Sequence, residues 1–338
     1  MGEFQGELVD RFVLASAAAG VSDGVLAQGR VVVEEFVGFA GCRVWEVRDR
    51  HADRWLVWLR GRGLAKQTVY GRASTVARFY AFLTARYVRE IWERTGCQVV
   101  QPFDEFNRPR HPGQHTIRVP PSPGEVQALF EGWRGELPGT RKYAPAVRKY
   151  VMASLWRRAG LRLTESVMLD VGDWYPDWGG FGKLHVRFGK GSQGRGPKAR
   201  LVPGIDGTDV LLEWWLAEVR PYFGPDHRDP RAPMFPSERR TAHGRAGLRG
   251  PRAALAGATQ RFLPVWTGRL TPHVLRHFCA SSLYGRGVDL KAIQELLGHE
   301  WLATTTGYVH VRAEHIERAW AAANDRVAQR LGLSAGQC

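Results

Sequence analysis

The chain has 338 residues, 44% of them hydrophobic, enough for two globular domains with cores of their own. Its 48 Lys and Arg against 33 Asp and Glu give a net charge of +15, which points to a polyanionic partner. There is no apolar run long enough to span a membrane, no basic start of a secretion signal, and no CxxC pair among the four scattered cysteines; a disulfide framework and a zinc ribbon are disfavoured, and free thiols in a cytoplasmic protein are expected.

Residues 1–26 read as a weakly structured lead-in. Helices are expected over 29–40 and 51–60, then a turn at 61–64. A long helix, or two short ones, is expected over 66–87, where Val69, Ala73, Val76, Phe79, Tyr80 and Leu83 recur at helical spacing. Residues 27–107 should form one helical unit. Between Arg54 and Arg89 there are eight basic residues and no acid. Arg60, Arg62, Lys66, Arg72 and Arg78 of this tract are expected to face outward and meet phosphates. Five prolines between Pro109 and Pro123 mark a linker, placed at 108–121.

A second unit, 122–338, opens with Ser122-Pro-Gly-Glu125, a capping box for a helix over 123–133. A second helix over 144–159 stops at Gly160. Alternating residues at 183–188 and 199–202 flank the Gly-rich stretch 189–197, a hairpin with a long loop. Helices are expected over 209–222, 272–286 and 290–297, and the Gly-rich 244–257 reads as a loop. A second acid-free tract, Arg239 to Arg276, again carries eight basic residues, so two faces for a polyanion are expected. A last helix, 314–331, puts Ile316, Trp320, Ala323, Val327 and Leu331 on one face.

Chemistry-bearing residues concentrate in the second unit. His273 and His277 are one helical turn apart, but zinc would require a third close ligand, and Arg276 between them opposes a dication. No metal is expected. His273 and Arg276 fall on one side of the same helix, a proton carrier and a fork donor for one anionic group. Arg162 follows the break at Gly160 and needs an anion, and Glu165 stands where it can orient that guanidinium. Lys190 sits on the hairpin turn, and His299 follows the helix-ending Gly298. Tyr308 comes nine positions later.

The ordered set GLRLTE (160–165), GKG (189–191), HVLRH (273–277), LGH (297–299) and TTTGYVHV (304–311) resembles the tyrosine recombinase, or phage integrase, family. The resemblance implies a mainly α fold with a small antiparallel β-sheet. It also implies a two-domain DNA clamp with an N-terminal helical core-binding domain and a C-terminal catalytic domain. It implies that Tyr308 attacks a DNA phosphodiester to give a 3′-phosphotyrosine, with Arg162 and Arg276 on the phosphate oxygens. His273 would take the tyrosine proton, His299 would hydrogen-bond the phosphate, and Lys190, favoured over Lys198, would protonate the leaving 5′-oxygen. Glu165 would support the arginines from behind. It implies no cofactor and no nucleotide. The partner would be double-stranded DNA with a specific recombination site, bound by a homotetramer on paired sites whose 314–331 helix docks on a neighbour. No arm-binding domain is expected before residue 27. Ser166 departs from the aliphatic residue the family prefers there. A type IB topoisomerase-like enzyme and a non-catalytic DNA-binding protein are the alternatives.

Overall fold

The structure is a computed structural model and describes residues 2–111, 119–189, 198–238 and 243–298. They form two compact units, one of residues up to 111 and one of those from 119 on. Helices predominate in both. The second also holds a three-stranded antiparallel sheet.

The first unit contains α1 (Glu3–Ala18), α2 (Asp23–Ala40), α3 (Asp49–Gly61), α4 (Lys66–Arg86) and α5 (Val88–Thr95). The apolar stripe of α4 is buried along its whole length, and α4 is one continuous helix. Phe36 packs edge-on against Trp55 at 4.9 Å, and Phe12 against Phe79 at 5.4 Å. Such aromatic contacts add directionality to the burial of large apolar surfaces. The lead-in expected over 1–26 is corrected here: α1 is ordered, and Leu8, Val9 and Phe12 lie in the core. Arg11 of α1 pairs with Glu90 of α5 at 2.9 Å, and the buried Gln5 accepts from the Val44 amide at 3.0 Å. The stripe is only three residues wide and sits among small and acidic residues. It acquires value only when α2 and α4 supply a surface to cover.

Arg60, Arg62, Lys66 and Arg78 are exposed, as expected. Arg72 differs: it is half-buried and ion-paired with Glu35 of α2, so its charge is already answered within the fold. Arg62 lies over the Trp58 ring at 4.7 Å, which keeps its stem on the surface and its head in solvent.

The second unit opens with α6 (Pro123–Glu136). Its capping box is formed as expected: the Ser122 amide donates to Glu125 at 2.7 Å, and the Glu125 amide to the Ser122 hydroxyl at 3.3 Å. Next, α7 (Tyr143–Arg158) is buried on nearly all sides by α6 and by the helices Arg249–Phe262 and Pro272–Gly285, which explains its weak amphipathic pattern. The short α8 (Leu163–Val167) leads to β1 (Trp174–Tyr175), a strand too brief to leave a sequence signal. The expected hairpin is present as β2 (Lys183–Gly189) paired with β3 (Lys198–Pro203), with Leu184, Val186 and Val202 facing the core.

Two expectations in this unit are corrected. The helix expected over 209–222 is α9 (Thr208–Trp214) continued by a wide turn at Trp215–Val219 and a tight one at Arg220–Phe223, because Pro221 lacks the amide that a regular helix needs. The loop expected over 244–257 becomes helical from Arg249 on, as α10 (Arg249–Phe262). Its glycines lower intrinsic propensity, but Leu255, Ala258 and Thr259 bury a face against α6 and α7. The tract from Arg239 to Arg276 is also less open than its composition implies. Arg245 is tied to Asp170, Arg261 pairs with Glu136 at 2.9 Å, and Arg276 is fully buried. The last two described helices are α11 (Pro272–Gly285), capped by the Thr271 hydroxyl, and α12 (Leu290–Leu297), capped by Asp289.

Candidate active site

Three segments far apart in sequence, those of Arg162–Glu165, Arg200 and Arg276, meet around one carboxylate. Glu165 on α8 is completely buried. Its Oε1 accepts from Arg162 Nη1 at 2.5 Å and from Arg200 Nη1 at 3.0 Å. Its Oε2 accepts from Arg200 Nη2 at 2.8 Å and from the Arg162 amide at 2.8 Å. Arg276 Nη1 stands 3.7 Å from Oε2. Three guanidiniums therefore pair with one carboxylate among the described residues.

Local structure explains how each group arrives. Gly160 adopts φ +61°, and a Cβ there would stand 2.5 Å from Leu297 Cδ2, so glycine is needed both for the backbone and for the approach of α12. The turn presents Arg162 as the residue capping α8, and Glu165 reaches back to its amide as the acidic half of a capping box does. Arg276 projects inward from α11 and donates to the Gly160 carbonyl at 2.5 Å and to the Leu297 carbonyl. It thereby joins the end of α7 to the end of α12. The helix end at Leu297 would otherwise leave carbonyls without partners. Ser166 is not an idle departure: its hydroxyl donates to the Leu163 carbonyl at 2.8 Å and accepts from the Trp156 indole at 3.0 Å, so a buried tryptophan is satisfied through it.

Exposure grades the arginines. The Arg162 side chain is 23% exposed, Arg200 9% and Arg276 1%. Burial pushes the Glu165 carboxyl up, but the hydrogen bonds and charge of Arg200, then the charge and amide of Arg162, outweigh it and hold the group at about 2. The carboxylate is thus ionised at any pH where the protein works. Since the folded value lies below the ordinary 4.5, its contribution to stability is complete above about pH 4.5 and is lost progressively as pH falls from there through about 2. Glu165→Gln should accordingly destabilise this unit by about 3–5 kcal/mol, because it strands buried guanidiniums without a counter-charge. Denaturant melts of both proteins at neutral pH and at pH 3 check this, with the gap expected to narrow only in acid.

Among the other expected site residues, His273 is exposed on the first turn of α11, and its ring meets that of His277 edge-on at 4.8 Å. Arg276, one turn along the same helix, is buried. Lys198 begins β3 and is exposed. Lys190, His299 and Tyr308 lie outside the described residues, as does the 314–331 helix. Reading the sequence missed Arg200. The signal was available: β3 alternates, Leu201 points outward and Val202 inward, so Arg200 shares the inward face and had to find a counter-charge there.

Known proteins that this chain resembles share one family. The phage integrase family model matches residues 137–315. The tyrosine recombinase XerD of Caulobacter vibrioides is 30% identical over 261 residues, covering 76% of this chain and 75% of that protein. The tyrosine recombinase XerC of Haemophilus ducreyi is 28% identical over 285 residues, covering 83% of this chain and 81% of that one. The fold is similar to that of the Tn1549 transposon integrase in complex with transposon right end DNA, with a TM-score of 0.62 and 16% identity over 96% of this chain and 99% of that one. It is equally similar to the XerH site-specific recombinase bound to its palindromic difH substrate, with a TM-score of 0.62 and 17% identity over 87% and 77%. A matched family model over more than half the chain, a relative at this identity, and a fold that gathers Arg162, Glu165 and Arg276 at one point lead to the same conclusion: the chain belongs to the phage integrase family of tyrosine recombinases.

Proposed function

We propose that the chain is a site-specific recombinase that cuts and rejoins duplex DNA through a 3′-phosphotyrosine on Tyr308. The carrying observation is the cluster itself. Three guanidiniums on one carboxylate leave an excess of positive charge at a largely buried point, with Arg162 the most open of them. A phosphodiester supplies the missing negative charge, and a pentacoordinate phosphorus supplies more of it, so the site favours the transition state over the bound ground state.

In this reading the Tyr308 oxygen attacks phosphorus as His273 takes its proton. The bond to the 5′-oxygen breaks, and that oxygen leaves as a hydroxyl with a proton from Lys190. His299 and the two arginines Arg162 and Arg276 hold the phosphate oxygens. The phosphotyrosine keeps the bond energy, so the reverse attack by a 5′-hydroxyl reseals the strand without nucleotide. The exposed Arg60, Arg62, Lys66 and Arg78 of the first unit grip the backbone of the same duplex, while Arg72 contributes little because Glu35 already holds it. The working form is a homotetramer on paired sites, with the stripe of 314–331 covered by a neighbouring copy. No helix among the described residues is long and apolar enough to cross a membrane, which accords with action on DNA in the cytoplasm.

The decisive experiment is covalent trapping. Genomic DNA captured on the protein identifies the site, and a nicked substrate carrying that site is then incubated in EDTA without nucleotide. A protein–DNA adduct that accumulates under those conditions is expected, because guanidiniums and proton carriers meet the charge that a metal would otherwise meet. A strict requirement for a divalent cation, or no adduct at all, overturns the proposal.

A further inference from the structure

We propose that Arg200 is a positioning residue of this centre, one that sets Arg162 through Glu165 and holds the end of α12. The inference rests on the strand-cleaving role proposed above and adds to it a residue outside the expected catalytic set.

Three observations carry it. Arg200 forms a two-bond fork with Glu165 at 3.0 and 2.8 Å, the geometry that fixes a carboxylate in direction as well as distance. Its Nε donates to the Leu296 carbonyl at 2.7 Å, in the last turn of α12. All three of its nitrogens bond protein oxygens, which ties it to Glu165 and to the end of α12 at once. The third observation is Gly298, at φ +64°: a Cβ there would stand 3.0 Å from Arg200 Cδ and 3.2 Å from Nη1. The helix end and the arginine stem are fitted to each other, and the residue after that glycine is His299.

The consequence is a specific division of labour. Among the described residues Glu165 accepts four hydrogen bonds, two of them from Arg200. Without that fork, Arg162 would share an under-determined carboxylate, and the last turn of α12 would lose one of the two guanidiniums on its carbonyls. Displacement of reacting groups by about 1 Å can cost about 10²-fold in rate. DNA affinity, which is spread over many phosphates, should barely change.

The test measures single-turnover cleavage of a nicked target-site substrate, DNA affinity and melting temperature for the wild type, Arg200→Met and Arg200→Lys. Arg200→Met should cleave about 10²-fold more slowly at unchanged affinity. Its deficit should deepen below neutral pH, because burial then pushes Glu165 up with its main opposing partner gone. That added pH dependence should vanish in Glu165→Gln/Arg200→Met. Arg200→Lys should recover melting but not rate, since one ammonium cannot supply the fork and the third bond. Cleavage at the wild-type rate by Arg200→Met or Arg200→Lys, measured below the melting transition, overturns the inference and leaves the proposed function standing. A slow variant whose deficit is the same at every pH makes Arg200 a brace of the fold and overturns it too. A wild type that forms no adduct removes the strand-cleaving reading first.

Discussion

Tyr308→Phe is expected to form no covalent adduct with DNA while binding its target as tightly as the wild type. The change removes one oxygen and keeps the ring. The phenolic oxygen is the proposed nucleophile, and no neighbouring group in TTTGYVHV offers a phenol in its place. Affinity should persist because it would be spread over the phosphate contacts proposed for exposed basic residues of both units. Denaturing gels of the trapped complex measure the adduct, and a mobility shift at fixed salt measures binding. An adduct formed by the Phe variant would move the nucleophile elsewhere in the chain. Loss of binding in parallel with cleavage would make Tyr308 a structural residue.

Arg276→Ala should lower the cleavage rate by about 10²–10³-fold, the usual cost of removing one donor from a site that stabilises developing charge. The structure adds an expectation that its catalytic assignment alone does not contain. Arg276 is fully buried and bonds the carbonyls of Gly160 and Leu297, so the Ala variant leaves both unpaired beside a new void. Each buried polar group left without a partner costs about 1–3 kcal/mol, and the melting temperature should fall accordingly. Arg162→Ala provides the contrast. That side chain is partly open and, among the described residues, bonds only Glu165, so a comparable loss of rate should come with a smaller loss of stability. Arg276→Lys should rescue neither property well, because an ammonium on a flexible stem cannot span two carbonyls and a carboxylate. Rates are to be compared below the melting point of the weakest variant. Equal losses of affinity and rate for both alanine variants would make these arginines simple phosphate anchors.

Features with local causes are legible in the order of residues alone. The stripe of α4 follows from helical spacing, the start of α6 from Ser122 and Glu125, and the β2–β3 hairpin from alternation around glycines. The family was legible because its groups recur in fixed order within short motifs. Tertiary structure decided what depends on a distant partner. Whether 1–26 folds depended on α2 and α4 offering a surface to Leu8, Val9 and Phe12. Whether glycine-rich 249–262 is helical depended on burial against α6 and α7, which outweighs weak propensity. Arg72 and Arg78 look alike in the sequence, yet Glu35 takes only the first. The same holds at the centre. Glu165 was placed beside Arg162 by three residues of spacing, but its bond to Arg200 spans 35 positions, and that of Arg276 to Gly160 spans 116. A buried charge must find a counter-charge, and that rule is readable in a sequence; which one it finds is fixed only when the chain has closed on itself.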